Sequence, residues 1–467
     1  MPTPKLSEID TWFQQAELFR ASGKKEDALK EYSKVVFFAP SHWPAYFHLG
    51  VLLGEAGHHE LAVAMLRRSE AFNPDNAVIK NHIADYLTLL GRIEEARQSL
   101  EKSWALDSSY GNISAQLKIG TLLRESNRPE EALPYFQRVI DQKGDGTQEA
   151  IDRYHVACWF RGLCHYALND YQAAWPDYEK RNGIPGVIVP RLDGELWQGQ
   201  PLEGKTIFLT YEQRFGDFLQ FVRFLPCLTD MGARVIVQTP PELARQMKQS
   251  FPKVELAPAG GAIPAYDYHH FITSIPAVLN MSKDDIARSA CTYLDVADED
   301  RVTDLPARPE TSLKVGLVWE GQPDPPRSIP LAHYIPLLKH GEVSFYSFQL
   351  GQQQKHLYQQ AVSWLVHDLS PRITDFYQSS ALLKEMDLLI TIDTAIAHQA
   401  GALGMPVWLM IRNFADWRWN DNSWYPSMRI FRQKHKDSWD EAAHEMQAAF
   451  AEWVVTAKKK KSSKRAK

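Results

Sequence analysis

No apolar run in this chain reaches the roughly 18 residues that a membrane-spanning helix needs. The opening residues, MPTPKLSEIDTWF, lack the basic stretch and apolar core of a secretory leader. Both absences set the expectation of a cytoplasmic protein with no membrane span. Cysteine is scarce, with only Cys158, Cys164, Cys227 and Cys291. None forms a CxxC pair and no histidine cluster shares their spacing, which argues against a zinc site and for buried thiols in a reducing compartment. Positive charge is also short in the body of the chain. The net charge is −5, and seven positive charges fall in the last ten residues, KKKKSSKRAK, so the rest carries −12. An acidic body argues against nucleic acid as the main partner. The basic end, 458–467, reads as a disordered tail, because like charges repel and nothing there can pack.

What is present divides in two. With 467 residues the chain is too long for one core, and 44% hydrophobic with 23% charged residues fits a folded chain. Its first part repeats itself. Trp12, Ala16, Phe19, Gly23, Ala28, Tyr32 and Pro40 recur 34 residues later as Tyr46, Gly50, Leu53, Gly57, Ala62, Leu66 and Pro74. A third copy reads Ala84, Leu87, Gly91, Ala96 and Leu100, with Ser108 in the proline position. A fourth reads Gly120, Leu123, Asn127, Ala132 and Phe136, and a displaced fifth reads Gly162, Asn169, Ala174 and Tyr178. Each copy makes sense as a helix hairpin. Small residues let its two helices approach, Gly or Asn suits a left-handed helix end, and Pro stops the second helix. The pattern resembles the tetratricopeptide repeat over residues 8 to 181. The resemblance implies a stacked solenoid over 1–181 whose groove binds a protein or peptide.

Residues 182–204, rich in Gly and Pro, read as a linker. Beyond it, short apolar runs alternate with helical stretches. KTIFLT, RVIVQT, KVGLVW, VSFYSFQ, DLLITID and PVWLMI read as strands. Asp217 to Met231, PELARQMKQ and DFYQSSALLKEM read as helices. Alternation of this kind predicts parallel sheets, here as two Rossmann-like halves over 205–300 and 301–457 around a cleft. Ligands of such sheets bind beyond the carboxyl ends of the strands. The segments there are YEQRFGDFLQF, EGQPDPPRSIPL, DTAIAHQAGALG and RNFADWRW, and polar residues collect in them.

Three of these segments carry a resemblance. Phe215-Gly216-Asp217 resembles the Gly-Asp loop of the bacterial heptosyltransferases. Asp393-Thr394-Ala395-Ile396-Ala397-His398, followed by Gly401 and Gly404-Met405-Pro406, resembles their nucleotide-binding segment. Arg327, followed by Ser328, matches their basic residue facing the donor phosphates. The sweep from Trp197-Gln198-Gly199 through Trp424-Tyr425-Pro426 resembles bacterial proteins that place tetratricopeptide repeats before such a domain, flagellin glycosyltransferases among them. The fold implied is an all-α solenoid followed by an α/β GT-B-like domain.

The same resemblance implies a metal-independent glycosyltransferase with no cofactor beyond its substrate, a nucleotide sugar. Asp217 is the candidate general base. Its other reading is an N-cap or first-turn acid on its helix. Arg327 would stabilise the leaving diphosphate. Thr394 and Ala395 would open a helix whose free amides meet phosphate, and His398 faces the same side four residues on. Asp393 suits a loop-bracing or ribose contact. Gly216, Arg327, Ser328, Asp393, Thr394, Ala395 and His398 thus form the expected donor site.

The chain departs from the family at Arg214, where relatives carry Gly, and in the short loop Gly321-Gln322-Pro323 to Arg327. The expected acceptor is Ser or Thr of a protein recruited by the repeats, flagellin being one candidate. An inactive scaffold and a transferase acting on a glycan or lipid-linked acceptor remain alternatives at this stage.

Overall fold

The structure is a computed structural model that describes residues 4–109, 112–142, 144, 146–187, 192–212, 214–306, 313–321, 327–435 and 438–465. It divides into two units, Met1–Leu168 with Gly183–Pro185, and Asn169–Asn182 with Gly186–Lys467.

The first unit is a row of helix hairpins. Its helices are α1 Leu6–Ala21, α2 Lys25–Phe38, α3 Trp43–Glu55, α4 His59–Phe72, α5 Ala77–Leu89, α6 Ile93–Leu106, α7 Ser114–Glu125, α8 Pro129–Asp141 and α9 Gln148–Ala167. The residues that the repeat placed between helices turn with positive φ: Gly23 at 74°, Gly57 at 86°, Gly91 at 73° and Asn127 at 58°. Only Gly, and more rarely Asn, adopts that geometry readily. Ala28, Ala62, Ala96 and Ala132 are fully buried at the crossings. The partner position is as tight. A Cβ on Gly50 would fall 2.8 Å from Leu66 Cγ, and one on Gly120 would fall 2.7 Å from Phe136 Cε1. Buried hydroxyls repeat with the same period: Ser69 Oγ donates to Trp43 O at 2.9 Å, and Ser103 Oγ to Ala77 O at 3.0 Å.

The second unit begins with α10, Tyr171–Tyr178, counted above as the end of the fifth repeat. Tyr171, Trp175 and Tyr178 all contact the ring of Trp417 at centroid distances of 5.9 to 6.3 Å. Trp175 Nε1 donates to Met281 O at 2.7 Å. The helix therefore packs as part of the α/β unit.

Two parallel sheets follow. The strands of the first are β1 Glu195–Leu196, β2 Thr206–Thr210, β3 Arg234–Thr239, β4 Glu255–Pro258 and β5 Tyr268–Phe271, in the order β1-β5-β2-β3-β4. Those of the second are β6 Leu313–Leu317, β7 Val343–Ser347, β8 Val366–Asp368, β9 Leu388–Ile392, β10 Val407–Ile411 and β11 Met428–Arg432, in the order β11-β10-β9-β6-β7-β8. Taken in chain order, the second sheet reads 6-5-4-1-2-3, the Rossmann arrangement. Its strands β7, β9 and β10 are buried throughout, as expected when both sheet faces are covered. The helices are α11 Phe215–Phe221, α12 Leu225–Asp230, α13 Pro241–Ser250, α14 Ile275–Val278, α15 Lys283–Arg288, α16 Lys355–Gln359, α17 Phe376–Leu383, α18 Ala395–Ala402 and α19 Asp440–Arg465.

Several expectations need correction. The helix expected over Asp217 to Met231 is broken by a 3-10 turn at Val222–Phe224. Pro226 sits just after the break and has no N–H to carry the helical ladder through. The segment expected to be a linker, 182–204, contains β1, which pairs with β5, and Trp197 behind it is fully buried. Residues 188–191 of that segment lie outside the described residues. The basic end is helical rather than disordered as far as Arg465. Lys461 Nζ reaches both oxygens of Asp387, at 2.6 and 2.9 Å, which offsets the repulsion among neighbouring lysines. No helix among the described residues is long and apolar enough to cross a membrane.

Candidate functional site

The order of strand addition reverses in the second sheet between the parallel neighbours β6 and β9, which send their connections opposite ways. Loops leaving the carboxyl ends of those two strands flank a crevice. The β6 loop is held by Gln349, whose Oε1 accepts from Trp319 N at 3.2 Å and Glu320 N at 3.0 Å. Its Nε2 donates back to Glu320 O at 3.0 Å. Ser328 Oγ then accepts from Gly321 N at 3.2 Å, so the loop folds over itself. This puts Arg327 against the β9 loop. Arg327 Nη1 donates to Asp393 O at 2.8 Å and lies 3.4 Å from Asp393 Oδ2. A Cβ on Gly321 would stand 3.1 Å from Thr394 Cγ2, so the two loops touch. Residues 322–326 of the shortened loop are outside the described residues.

Thr394 is the N-cap of α18, with an extended backbone. Its hydroxyl turns back to Ile392 O at 3.3 Å and does not cap the helix. No side chain caps the first turn of α18, where Ala397 N donates to Thr394 O at 3.0 Å, and the helix dipole adds positive potential there. Burial raises the Asp393 carboxyl above the usual carboxylate range, Asp416 adds to the rise, and Arg327 opposes it.

His398 is 5% exposed, and its Nδ1 lies 3.0 Å from the Tyr425 hydroxyl. Its ring sits 4.6 Å from that of Trp419. Burial holds its pKa well below the ordinary histidine value, and Arg418, Arg223 and Arg327 push the same way. His398 is thus a neutral imidazole at physiological pH.

The first sheet contributes α11 from the carboxyl end of β2. Gly216 packs on His398, bringing the start of α11 onto α18. Asp217, one residue on, is ion-paired: Arg418 Nη2 lies 2.7 Å from its Oδ1. The Gly216, Asp217, Arg327, Ser328, Asp393, Thr394, Ala395 and His398 positions are therefore brought into one region between the two sheets.

Sequence reasoning did not single out Arg418, Asp416, Gln220 or Arg223, and it used Tyr425 only as part of the motif that closes the resemblance. Arg418 lies in the 3-10 turn Trp417–Trp419 after β10 and is 8% exposed. It donates to both oxygens of Asp416, at 2.9 and 3.0 Å, and through Nε to Gln220 Oε1 at 2.5 Å. Arg223 donates to Trp424 O at 2.8 Å and to the Tyr293 hydroxyl at 3.1 Å, with its guanidinium 4.6 Å from the Tyr425 ring. The position of RNFADWRW after a buried strand was the available signal. Which of its residues mattered depended on contacts about two hundred residues away.

A second buried cluster lies where β2 and β5 end. Arg181 Nη2 donates to Glu212 at 3.0 Å, Thr273 Oγ1 at 2.7 Å and Ser274 Oγ at 2.9 Å, and Nη1 to Glu179 at 2.7 Å. Both terminal nitrogens of Arg181 have acceptors, so the cluster reads as a brace.

The first unit has its own polar row, on the first helix of successive pairs. Glu17 Oε1 is 3.4 Å from His48 Nε2. The Phe47 ring lies 5.1 Å from both His48 and His82, and Lys118 pairs with Asp85 at 2.6 Å. Burial lowers the pKa of both histidines.

Comparison with known proteins agrees with the repeats and carries them past Leu168, where the first unit ends, to residue 182. The tetratricopeptide repeat family model matches residues 13–77 and 117–182. The first part of the chain is therefore a tetratricopeptide-repeat solenoid, a fold that points to protein–protein interaction. The FlbA protein of Caulobacter vibrioides is 24% identical over 508 residues, spanning 93% of this chain and 83% of its own length. Among solved structures, MamA is 19% identical with a TM-score of 0.32, covering 39% of this chain and 98% of its own. YrrB, described as a tetratricopeptide-repeat protein with an unusual peptide-binding site, is 20% identical with a TM-score of 0.32, covering 37% and 84%.

Proposed function

We propose that the second unit is a GT-B-type glycosyltransferase that uses a nucleotide sugar without a metal, and that the repeats bring it a protein acceptor. The observation that supports this most is the meeting of Gly216-Asp217 from one Rossmann-like half with α18 and Arg418 from the other. Sugar transfer needs a base for the acceptor hydroxyl and positive groups for the departing diphosphate. Asp217 is the base. Arg327 and the amino end of α18 receive the diphosphate. His398, neutral, presents its free ring edge beside Gly216 and adds no charge. The acceptor is a Ser or Thr side chain, with flagellin as a candidate partner.

The Asp217–Arg418 ion pair favours a second reading, an inactive scaffold, because it engages the base. Intact mass of a coexpressed flagellin acceptor separates the two. The transferase reading expects a sugar-sized mass increase that Asp217→Asn abolishes. No increase from the parent chain, with UDP-, ADP- and CMP-linked sugars supplied in turn, would sink it.

A further inference from the structure

Arg418 holds two carboxylates where one would neutralise it. Asp416 engages Nη1 with both oxygens, at 2.9 and 3.0 Å, and is tied locally, since its Oδ1 also accepts from Arg418 N at 3.1 Å. A buried guanidinium satisfied in this way already has its counter-charge. Asp217 comes from α11 of the opposite half and touches Nη2 through a single oxygen at 2.7 Å. Among the described residues its Oδ2 accepts no hydrogen bond, and its side chain is about a fifth exposed. The second carboxylate is therefore an extra negative charge, held through one oxygen, in a region where Arg327 and Arg418 each already have a carboxylate of their own half. Arg327 lies at Asp393, Arg418 and Arg327 both bear on His398, and the amino end of α18 faces the same region.

We propose that Asp217 is an internal substitute for a ligand's diphosphate on Arg418, so that an arriving diphosphate oxygen displaces the carboxylate. The exchange makes and breaks no covalent bond. One anion replaces another on the same guanidinium. Its consequence is order: the carboxylate becomes a free base only when the diphosphate is in place. The inference rests on the transferase reading for the use made of the freed carboxylate, and on the Arg418 geometry for the exchange itself.

Calorimetry with inorganic diphosphate on the full chain tests it. A carboxylate that competes with the ligand lowers apparent affinity by the fraction of Arg418 it occupies. Asp217→Asn keeps the shape, removes the competing charge, and is expected to bind diphosphate about tenfold tighter. Arg418→Lys is expected to weaken binding, with Trp417 and Trp419 fluorescence as a second readout, since both flank Arg418. Equal or weaker binding by Asp217→Asn overturns the proposal, as does absence of diphosphate binding in both parent and variant. Tighter binding by Asp217→Asn in a chain that transfers no sugar would uphold the exchange and sink the transferase reading. Sugar transfer with unchanged diphosphate affinity would do the reverse.

Discussion

Gly216 and His398 approach so closely that no side chain fits between them: a Cβ on Gly216 would lie 2.9 Å from His398 Cδ2 and 3.3 Å from Nε2. The glycine is thus a contact between the two Rossmann-like halves. His398 cannot easily give way, because Tyr425 and Trp419 hold its ring.

Gly216→Ala is expected to destabilise the full chain by about 1–3 kcal/mol, the usual range for overpacking a tight contact. Thermal melts of Gly216→Ala, His398→Ala and the double variant provide the check. The double variant should lose less than the sum of the singles, because removing the imidazole makes room for the methyl group. Strict additivity would show that the two residues do not constrain each other.

Arg327→Ala should weaken binding of a nucleoside diphosphate by about 1.5–3 kcal/mol, the loss expected for a charged hydrogen bond. Titration calorimetry on the full chain measures it. Arg327 also ties the β6 and β9 loops together, so Arg327→Lys, which keeps charge but loses the planar fork, should recover only part of the affinity. Equal affinity in Arg327→Ala and parent would remove the residue from the site.

Asp217→Asn should lower the transfer rate by about 10²–10⁴, the typical effect of losing a general base. A pull-down of the protein partner should be unaffected, since the repeats lie in the other unit. Undiminished transfer would leave Asp217 as a first-turn acid only.

Stability should fall with pH in a window set by His270. Its pKa is lowered from 6.5 to about 4, chiefly by burial. Its Nδ1 accepts from Phe271 N at 2.8 Å, a bond that protonation breaks. The unfolded chain binds this proton more readily than the folded one. The stabilisation is therefore full above pH 6.5 and lost as pH falls toward 4, by up to about 3 kcal/mol. Denaturant melts from pH 7.5 to 4.5 should show the slope. His270→Asn, which keeps an acceptor but cannot titrate, should flatten it. An unchanged slope would assign the acid sensitivity to other groups.

Residues 1–168 expressed alone should be strongly helical and melt cooperatively, because neighbouring hairpins bury two apolar clusters between them. Circular dichroism decides this. A disordered spectrum would mean that the first unit needs the second to fold.

The repeat hairpins were legible because their geometry depends on single residues at fixed spacing. Gly23, Gly57, Gly91 and Asn127 announce left-handed turns by residue type, and Ala28, Ala62, Ala96 and Ala132 announce close crossings. The buried strands β2, β3, β6, β7, β9 and β10 were legible as apolar runs. Three others were not. The edge strands β1 and β8 have two and three residues, and β5, between β1 and β2, reads Tyr-His-His-Phe, so none shows an apolar run. At the site, Gly216, Asp217, Arg327 and His398 could be singled out by local motif. Arg418 could not, because its importance comes from Asp217 and Gln220, two hundred residues away and on the other half.

The membership of α10 bears on how such chains can be recombined. By sequence period the helix is the second half of a repeat, but Tyr171, Trp175 and Tyr178 share the aromatic cluster of Trp417, and Tyr171 also accepts from Trp424 Nε1 at 3.0 Å. A graft that exchanges repeat arrays at the end of the fifth copy would strip the α/β unit of these rings and supply foreign ones. The interchangeable module ends at Leu168, inside a repeat. Shuffling of recognition arrays among chains of this kind would therefore have to leave that last helix behind with its acceptor of aromatic contacts, and it would be inherited with the α/β unit.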